Sequence, residues 1–229
     1  MSRTHLITGA GSGIGLALAR ALRERGDTLV LPVRSQERVE ELRGEFAEPG
    51  LVVLDLARTD SLPEAMRQAH LPGRIDTLVH AAGVVELARL GDSAPEAIRS
   101  QVDVNLVAPA LLTRHCLPAL RRTRGSVVFV NSTAGSVANA AWSAYAASKA
   151  GLRALADSLR AEEAEGGIRV TTVFPSRTAT RMQARVHEQE GRDYDPDRFM
   201  SAESVAATIL HVLDLPEDVT IPEVTLRSR

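Results

Sequence analysis

Short apolar runs alternate along the chain with longer segments in which alanine, leucine and arginine recur at helical spacing. Seven runs are rich in leucine and β-branched residues and predict strands, at 5–8, 28–33, 51–56, 77–80, 126–131, 169–174 and 223–226. Segments with a period near 3.6 residues predict helices at 14–25, 36–45, 95–122 and 144–165. Strands that alternate with helices indicate βαβ units and a parallel sheet covered on both faces.

This order of elements predicts an α/β fold with a doubly wound parallel sheet of about seven strands. We expect one domain over 1–229, because 229 residues can bury one sizeable core and are fewer than two full domains usually need. The stretch Ser93-Ala94-Pro95-Glu96 has capping-box spacing and predicts the start of a helix. The polar segment 181–201 predicts an irregular and mobile part of the chain.

The composition is that of an ordinary globular protein, with 44% hydrophobic and 24% charged residues and a net charge of −2. With no basic excess and only 3% aromatic residues, we expect no nucleic-acid partner. No run approaches the roughly 20 apolar residues of a membrane span, and the first residues lack the apolar core of a secretory signal, so we expect a cytoplasmic protein. The single Cys116 and the scattered histidines predict neither a disulfide nor a metal site.

A glycine-rich loop, Thr8-Gly-Ala-Gly-Ser-Gly-Ile-Gly15, joins the first predicted strand to the first predicted helix. In this arrangement backbone N–H groups and the helix dipole can meet a pyrophosphate, and glycines allow close approach. We therefore predict dinucleotide contacts at the loop positions Gly9, Gly11, Ser12, Gly13, Ile14 and Gly15. Because the spacing is not the usual G-x-G-x-x-G, a turn that binds nothing is the alternative for the loop taken alone.

The end of the second predicted strand favours a phosphorylated dinucleotide. It carries no acid that would hold a ribose 2′-hydroxyl, and Arg34 follows the strand instead. Since a guanidinium can bind a 2′-phosphate through two hydrogen bonds, we predict NADP as the cofactor, with NADPH preferred over NADH. The alternative is a solvated loop arginine. Asp55, beside Leu56 at the end of the third predicted strand, is a candidate acceptor for the adenine amino group or a helix-initiating acid.

Tyr145 and Lys149 stand four residues apart in a predicted helix and should share one of its faces. Lys149 is the only lysine among the 27 lysines and arginines. Because a neighbouring ammonium favours the phenolate, we expect Lys149 to lower the pKa of Tyr145 toward the range of a general acid or base. Ser132 follows the fifth predicted strand, at the edge where open α/β sheets bind ligands, and its hydroxyl is a candidate donor to a carbonyl oxygen.

With these motifs in order, most of the chain resembles the short-chain dehydrogenase/reductase family in its compact Rossmann form. The loop Thr8–Gly15 matches the family's glycine motif, Tyr145 and Lys149 match its Y-x-x-x-K, and Ser132 and Asn105 match its serine and mid-helix asparagine. The resemblance implies hydride transfer between nicotinamide and a carbonyl or alcohol, with Tyr145 as general acid or base. It also implies that Ser132 stabilises the oxyanion, Lys149 holds the nicotinamide ribose, and Asn105 retains a water that links Lys149 to solvent.

Two places depart from the family's motifs, and the first follows the fourth strand. The family's N-N-A-G reads His80-Ala81-Ala82-Gly83 here. Ala82 and Gly83 still permit close approach of the adenosine ribose, whereas the bracing asparagine side chains are missing. His80 then either replaces one of their hydrogen bonds or is a core histidine.

The second departure follows the sixth strand, where the family's P-G reads Pro175-Ser176. The resemblance implies contacts to the nicotinamide carboxamide at Pro175, Thr178 and Thr180. Losing the glycine restricts the backbone at the point where those contacts are expected.

The resemblance also implies a homodimer or homotetramer, formed through the helices predicted at 95–122 and 144–165, which contain many small residues. The alternative is that these helices pack only on the chain's own sheet. We predict an NADP(H)-dependent oxidoreductase of small carbonyl or alcohol compounds; the alternative is a non-catalytic NADP(H)-binding sensor or scaffold. The choice of substrate should depend on the variable segment 181–201 and on Val84–Leu90, and nothing in their sequence selects one compound.

Overall fold

A seven-stranded parallel sheet forms the centre of the molecule in a computed structural model, which describes residues 2–46 and 50–229. The strands are Thr4–Thr8 (β1), Thr28–Val33 (β2), Leu51–Val53 (β3), Thr77–His80 (β4), Ser126–Val130 (β5), Arg169–Pro175 (β6) and Glu223–Leu226 (β7). Their order is β3-β2-β1-β4-β5-β6-β7, and every neighbouring pair is parallel. The predicted doubly wound α/β fold is confirmed. Its strand order reverses between β1 and β4, where open sheets bind ligands.

Eight α-helices flank the sheet within the described residues: Gly13–Glu24 (α1), Gln36–Leu42 (α2), Leu62–Gln68 (α3), Pro95–Val102 (α4), Ala108–Arg121 (α5), Ser143–Glu162 (α6), Arg181–Gln189 (α7) and Ala202–Leu213 (α8). The four predicted helical segments are present, and α3, α7 and α8 were not predicted. A π-helical turn, Asp103–Val107, separates α4 from α5. Among the described helices, none combines the length and the apolar content that crossing a membrane requires.

Helix α4 begins where it was predicted, but not through the predicted cap. Pro95 is its first residue, and Ala94, which precedes it, makes no side-chain capping bond. The Ser93 hydroxyl instead donates to Arg89 O at 3.0 Å. The prediction of a capping box at Ser93 is therefore wrong. Proline favours this start because its ring presets the helical φ and it has no N–H that needs a partner.

Two apolar layers fix the helices to the sheet. On one face, α1 and α8 pack over the sheet through fully buried residues such as Leu18 and Ile209. On the other face, α5 and α6 pack over β5 through residues such as Leu112 and Phe129. Burial of each such side chain contributes roughly 1.5–3 kcal/mol. Packing on both faces therefore fixes the positions of the strand ends and of the side chains that project from them.

The segment 181–201 has more regular structure than its polar sequence suggests. It contains α7, whose N-cap Thr180 accepts a hydrogen bond from Gln183 N, and a 3₁₀ turn at Pro196–Arg198. Ala179 N donates to Met200 O at 2.8 Å and closes the base of the excursion. The prediction of an irregular segment is wrong for 181–189, because the N-cap and the buried side chain of Val186 stabilise a helix there; residues 192–195 have no regular structure.

Candidate active site

A cleft of about 890 Å³ runs along the carboxyl edge of the sheet. Of the predicted cofactor positions, all but Gly15 line it: Gly9, Gly11, Ser12, Gly13, Ile14, Arg34, Asp55, Leu56, Ala82, Gly83, Tyr145, Lys149, Pro175, Thr178 and Thr180. Ser132 lines it as well. Gly15 lies behind the loop, where an added Cβ would be 2.5 Å from Gly9 O. Its contribution is therefore to let α1 pack closely, and not to face a ligand.

The glycine-rich loop is held against the end of β4. Gly9 has a φ of +73°, and an added Cβ would lie 2.7 Å from Ala82 N. The Thr8 hydroxyl accepts hydrogen bonds from Ala81 N at 3.2 Å and from Ala82 N at 3.1 Å. This wall of the cleft therefore consists of backbone, which allows N–H groups to reach a phosphate directly.

Two arginines lie at the end of the cleft beside β2. Arg34 directly follows the strand, and Arg38 lies four residues farther on, in α2. Arg38 Nη2 donates to Gly11 O at 3.1 Å, so this guanidinium is already directed at the glycine-rich loop. Sequence reasoning missed Arg38. The signal was a second arginine in the first turn of the helix that follows Arg34 and that Ser35 caps.

Asp55 and Leu56 line the cleft but do not belong to a strand. The apolar pattern predicted a strand over 51–56 with Asp55 at its end, whereas β3 ends at Val53. The Asp55 carboxylate accepts a hydrogen bond from Ala57 N at 3.0 Å and so stabilises a tight turn.

Tyr145, Lys149 and Ser132 meet where α6 passes the end of β5. Lys149 Nζ lies 5.9 Å from the centre of the Tyr145 ring, on the same face of α6. Lys149 Nζ also donates to Val130 O, at the end of β5, at 3.0 Å. The Ser132 side chain, on the loop that follows β5, is close enough to the Tyr145 hydroxyl to influence its pKa. The structure therefore brings these three predicted side chains together.

Burial determines the protonation of this group. It raises the pKa of Tyr145 to about 12, and the neighbouring Ser132 side chain acts in the opposite direction. Burial also lowers the pKa of Lys149 to about 8. The expectation that Lys149 lowers the pKa of Tyr145 is not met, because burial of the phenol dominates its pKa; the Lys149 ammonium donates to the Val130 carbonyl. At neutral pH Tyr145 is therefore a protonated phenol, ready to donate.

Asn105 lies in the π-helical turn, fully buried and directly behind the cleft. Its Nδ2 donates to Val84 O at 2.9 Å and to Ser148 Oγ at 3.0 Å, and its Oδ1 accepts from Val84 N at 2.9 Å. An added Cβ on Gly83 would lie 3.2 Å from Asn105 Oδ1 and 3.7 Å from Lys149 Nζ. Asn105 therefore ties the loop after β4 to α6, and a side chain at position 83 would crowd both Asn105 and Lys149.

Asn131 is a positioning residue that sequence reasoning missed. Its Nδ2 donates to Lys149 O at 3.0 Å, and its Oδ1 accepts from Ser132 N at 2.8 Å. One buried amide thus fixes the backbone of Lys149 and Ser132 relative to β5. The signal was present in the sequence, since an asparagine directly after a buried strand falls at the carboxyl edge of a parallel sheet.

His80 is a core histidine, which was one of the two alternatives left open by the sequence. Its Nε2 forms a 2.8 Å hydrogen bond with the Thr113 hydroxyl, and its ring stacks on Phe129 with the centroids 4.9 Å apart. Burial lowers the pKa of His80 to about 3, so the ring is neutral.

Ser176, which stands where the family's motif has glycine, is held by the C-terminal strand. Its N–H donates to Leu226 O at 2.9 Å, and Ser228 N donates to its hydroxyl at 3.2 Å. Ser176 is not among the residues with positive φ, so a side chain is tolerated here without strain.

Side-chain contacts hold the residues that follow, and we call 176–201 the substrate-side segment. Arg177 Nη2 donates to both carboxylate oxygens of Glu190, at 2.7 and 2.8 Å, and Arg177 Nη1 lies 3.3 Å from His187 Nε2. The rings of His187, Tyr194 and Phe199 pack together with centroids between 5.1 and 6.1 Å apart. These contacts hold α7 beside the loop that follows β6.

The sequence was compared with known proteins. It matches the family model described as short chain dehydrogenase over residues 3–191. An uncharacterized oxidoreductase of Staphylococcus epidermidis is 29% identical to it over 228 residues, which are 98% of this chain and 96% of that protein.

Solved structures resemble the whole chain. An alcohol dehydrogenase from the archaeon Thermococcus sibiricus, complexed with 5-hydroxy-NADP, is 26% identical, with a TM-score of 0.86 over 100% of this chain and 97% of that one. A 4-hydroxyisoleucine dehydrogenase complexed with NADH is 22% identical, with a TM-score of 0.85 over 99% and 98% of the two chains. The second likeness shows the fold alone.

Proposed function

This chain belongs to the short-chain dehydrogenase family, and from that premise we propose that it is an NADP(H)-dependent oxidoreductase in which Tyr145 exchanges a proton with a carbonyl or secondary alcohol. It is an oxidoreductase of CH–OH or C=O groups that uses NAD(P), as the family match and the oxidoreductase relatives indicate. The observation that carries the finer proposal is the meeting of Tyr145, Ser132 and Lys149 in the same cleft as the glycine-rich loop.

The residues of the cleft fit a nicotinamide dinucleotide. Gly9 and Gly13 have positive φ values of +73° and +55°, and the wall that they form with Ala82 presents backbone without side chains. We assign the pyrophosphate to this wall, the nicotinamide ribose to Lys149, and the carboxamide to the loop that carries Thr178 and Thr180. When bound there, the nicotinamide ring supplies or accepts the hydride.

Tyr145 and Ser132 would complete the reaction on the substrate oxygen. Because burial keeps Tyr145 protonated, with a pKa of about 12, the phenol suits proton donation during carbonyl reduction. The Ser132 hydroxyl, beside it, would donate a hydrogen bond to the same oxygen as negative charge develops there. Lys149 would then return a proton to Tyr145, and Asn105 would retain a water that links Lys149 to solvent.

The two arginines beside β2 support the phosphorylated cofactor. No acid lies at the tip of β2 to receive a ribose 2′-hydroxyl, while Arg34 and Arg38 both line this end of the cleft. A 2′-phosphate between two guanidinium groups would receive charge-assisted hydrogen bonds, which a 2′-hydroxyl cannot match. We therefore assign NADPH as the preferred cofactor.

The test is a spectrophotometric screen of NADPH oxidation against ketones and aldehydes, with NADPH binding measured separately by fluorescence titration. Tyr145→Phe should lower kcat by at least roughly 100-fold and leave the Kd of NADPH nearly unchanged, because only the proton donor is removed. Tyr194→Phe is the matched control, since it alters the other tyrosine of the chain and should keep most activity. Wild-type turnover in Tyr145→Phe would refute the assigned acid. NADPH binding without turnover of any compound would favour the non-catalytic sensor.

The proposed enzyme would act as a homodimer or homotetramer built on α5 and α6. Ala147, Ala150 and Ala154 of α6 are exposed and follow one another at helical spacing, which leaves a flat stripe for a second helix. Gly151 also serves packing within the chain, because an added Cβ at this position would lie 2.8 Å from Leu106 of the same chain. Light scattering would test the assembly: Ala150→Glu should yield monomers, and an unchanged mass would refute this interface.

A further inference from the structure

Positive charge dominates the lining of the cleft. Its basic lining residues are Arg34, Arg38, Lys149, Arg177, Arg181 and Arg227, whereas Asp55 is the only acidic residue that lines it in the described part of the chain. A cleft of one sign with low-dielectric walls attracts ligands of the opposite sign. The dinucleotide accounts for part of this charge, and the remainder is unexplained.

Most of these cations already have an assignment. Lys149 donates to Val130 O and Arg38 to Gly11 O. Arg177 is neutralised by a two-pronged contact with Glu190. Arg34 lies at the opposite, adenosine end of the cleft. This leaves Arg181 and Arg227, neither of which forms an ion pair or side-chain hydrogen bond with any described residue.

Both of these arginines lie on the β6 and β7 side of the cleft, away from β2 and Arg34. Arg227 follows Leu226, which pairs in register with Pro175 at the edge of the sheet. Arg181 is the first residue of α7, directly after Thr180. A cation at a helix N-terminus is opposed by the helix dipole, so Arg181 does not stabilise its own helix. Its place is therefore better explained by what it faces than by local structure.

Apolar side chains surround the same end of the cleft. Val85 and Val186 are buried there, Trp142 packs edge-on against Tyr145, and Val137 and Met182 are large apolar residues that remain exposed. A ligand that satisfies this lining and the two arginines has an apolar body and one anionic group.

We infer that the substrate is a small carboxylate-bearing carbonyl compound, or the corresponding hydroxy acid, whose carboxylate is bound by Arg181 and Arg227. This inference rests on the proposed function, because the carboxylate would fix the substrate while its carbonyl oxygen faces Tyr145 and Ser132. The planar guanidinium fork matches the two oxygens of a carboxylate, whereas an ester or amide offers it no charge.

The test compares 4-oxopentanoate and acetoacetate with their methyl esters. For the wild type, kcat/KM should be roughly 10- to 100-fold higher for the acid than for the ester, the range expected for charge-assisted hydrogen bonds. Arg181→Met and Arg227→Met should each remove much of that preference and leave ester turnover unchanged. Arg185→Met and Arg229→Met are the matched controls, because these arginines lie nearby in sequence and do not line the cleft.

Two further readouts separate the possible failures. The Kd of NADPH should not change in Arg181→Met; a loss there, with the acid preference intact, would assign Arg181 to the cofactor and overturn the inference. Equal turnover of acids and esters by the wild type would overturn it while leaving the proposed reaction standing. If neither compound is turned over, calorimetry measures the binding of acid and ester to the NADPH-bound protein. Equal binding of the two overturns the inference. Selective binding of the acid that depends on both arginines supports it.

Discussion

The two sides of the cleft are held together in different ways. At the catalytic edge, by which we mean the ends of β1, β4 and β5 with the facing turns of α6, polar side chains bind backbone groups. Asn131 binds Lys149 O and Ser132 N, and Lys149 Nζ binds Val130 O. In the substrate-side segment, side chains bind one another, as Arg177 binds Glu190 and three rings pack together.

This difference has a physical consequence for substitution. A backbone carbonyl or N–H is present whatever the residue, so the partners at the catalytic edge survive most changes around them. A side-chain pair is lost when either member is changed, and its members are more exposed to solvent. We therefore expect single substitutions to adjust the substrate-side segment gradually and to disable the catalytic edge only at the few residues that bind its backbone.

Replacing Lys149 should have the largest effect and would test the catalytic edge directly. Lys149→Met keeps an unbranched side chain of similar length and removes the ammonium, so we expect kcat to fall by roughly 100- to 10,000-fold. Lys149→Arg keeps the charge but places a larger planar group in a site that is only 4% exposed, so it should not restore activity. Circular dichroism confirms folding, and kcat and the Kd of NADPH are measured separately.

The Lys149→Arg variant can also contradict the contrast between the catalytic edge and the substrate-side segment. If Lys149→Arg retained wild-type kcat, the site would tolerate a different shape and would need only a positive charge. The catalytic edge would then be no more exacting than the other side of the cleft.

The next largest effect is on stability in acid and arises from His80, at the end of β4. Its pKa is about 3 in the folded protein and 6.5 when unperturbed, so the unfolded chain binds the proton first as the pH falls. Stability is therefore complete above about pH 6.5 and is lost progressively as the pH falls toward 3, by up to about 4 kcal/mol.

Urea unfolding between pH 3 and 7 measures this loss. His80→Asn removes the titration and should flatten the dependence of the unfolding free energy on pH, whatever its effect at pH 7. His211→Asn is the control, because this histidine is exposed. An equally steep dependence in His80→Asn and the wild type would show that other groups cause the acid sensitivity.

The same contrast explains which features could be read from the sequence. The strands were predictable because each is a short apolar run, and Asn131 and Ser132 of the catalytic edge directly follow one of those runs. Helix α7 was missed because its composition is polar and its stability depends on an N-cap, Thr180, and on contacts made after folding. The Arg177 and Glu190 pair joins residues 13 positions apart that belong to no motif.

The protonation states of Tyr145 and Lys149 could not be predicted from the sequence. Spacing placed Lys149 beside Tyr145 correctly, but it could not show which oxygen the ammonium would bind. Only the fold reveals that Val130 O takes that hydrogen bond and that burial dominates the pKa of both groups.

Arg34→Ala tests the adenosine end of the cleft, where Arg34 is the exposed member of the two arginines assigned to the 2′-phosphate. We expect the Kd of NADPH to rise roughly 10- to 100-fold and that of NADH by much less, because only NADPH carries the 2′-phosphate that the guanidinium binds. Fluorescence titration with both cofactors measures the change, and Arg58→Ala serves as the control because Arg58 is exposed and does not line the cleft. Equal losses for NADPH and NADH would contradict the assignment.

Breaking the Arg177 and Glu190 pair should have the smallest effect and is the most direct test of the substrate-side segment. The pair is only part-buried, at 33% and 16% side-chain exposure, so its loss should raise KM about three- to tenfold and change the melting temperature little. Hydrogen exchange should quicken in 181–201 and stay unchanged in α6. The Kd of NADPH should also stay unchanged.

Arg177 lines the cleft, so its substitution alone cannot separate positioning of α7 from contact with the substrate. Glu190 does not line the cleft, and Glu190→Gln removes the same ion pair from the other side. If the pair acts by holding α7, Arg177→Met, Glu190→Gln and the double variant should raise KM by similar factors, because the second change removes nothing further. Arg192→Met is the control, since Arg192 lies 3.7 Å from the same carboxylate and is mostly exposed. A rise in KM for Arg177→Met without one for Glu190→Gln would instead mean that Arg177 binds the substrate, and the substrate side would then rest on direct contacts like those of the catalytic edge.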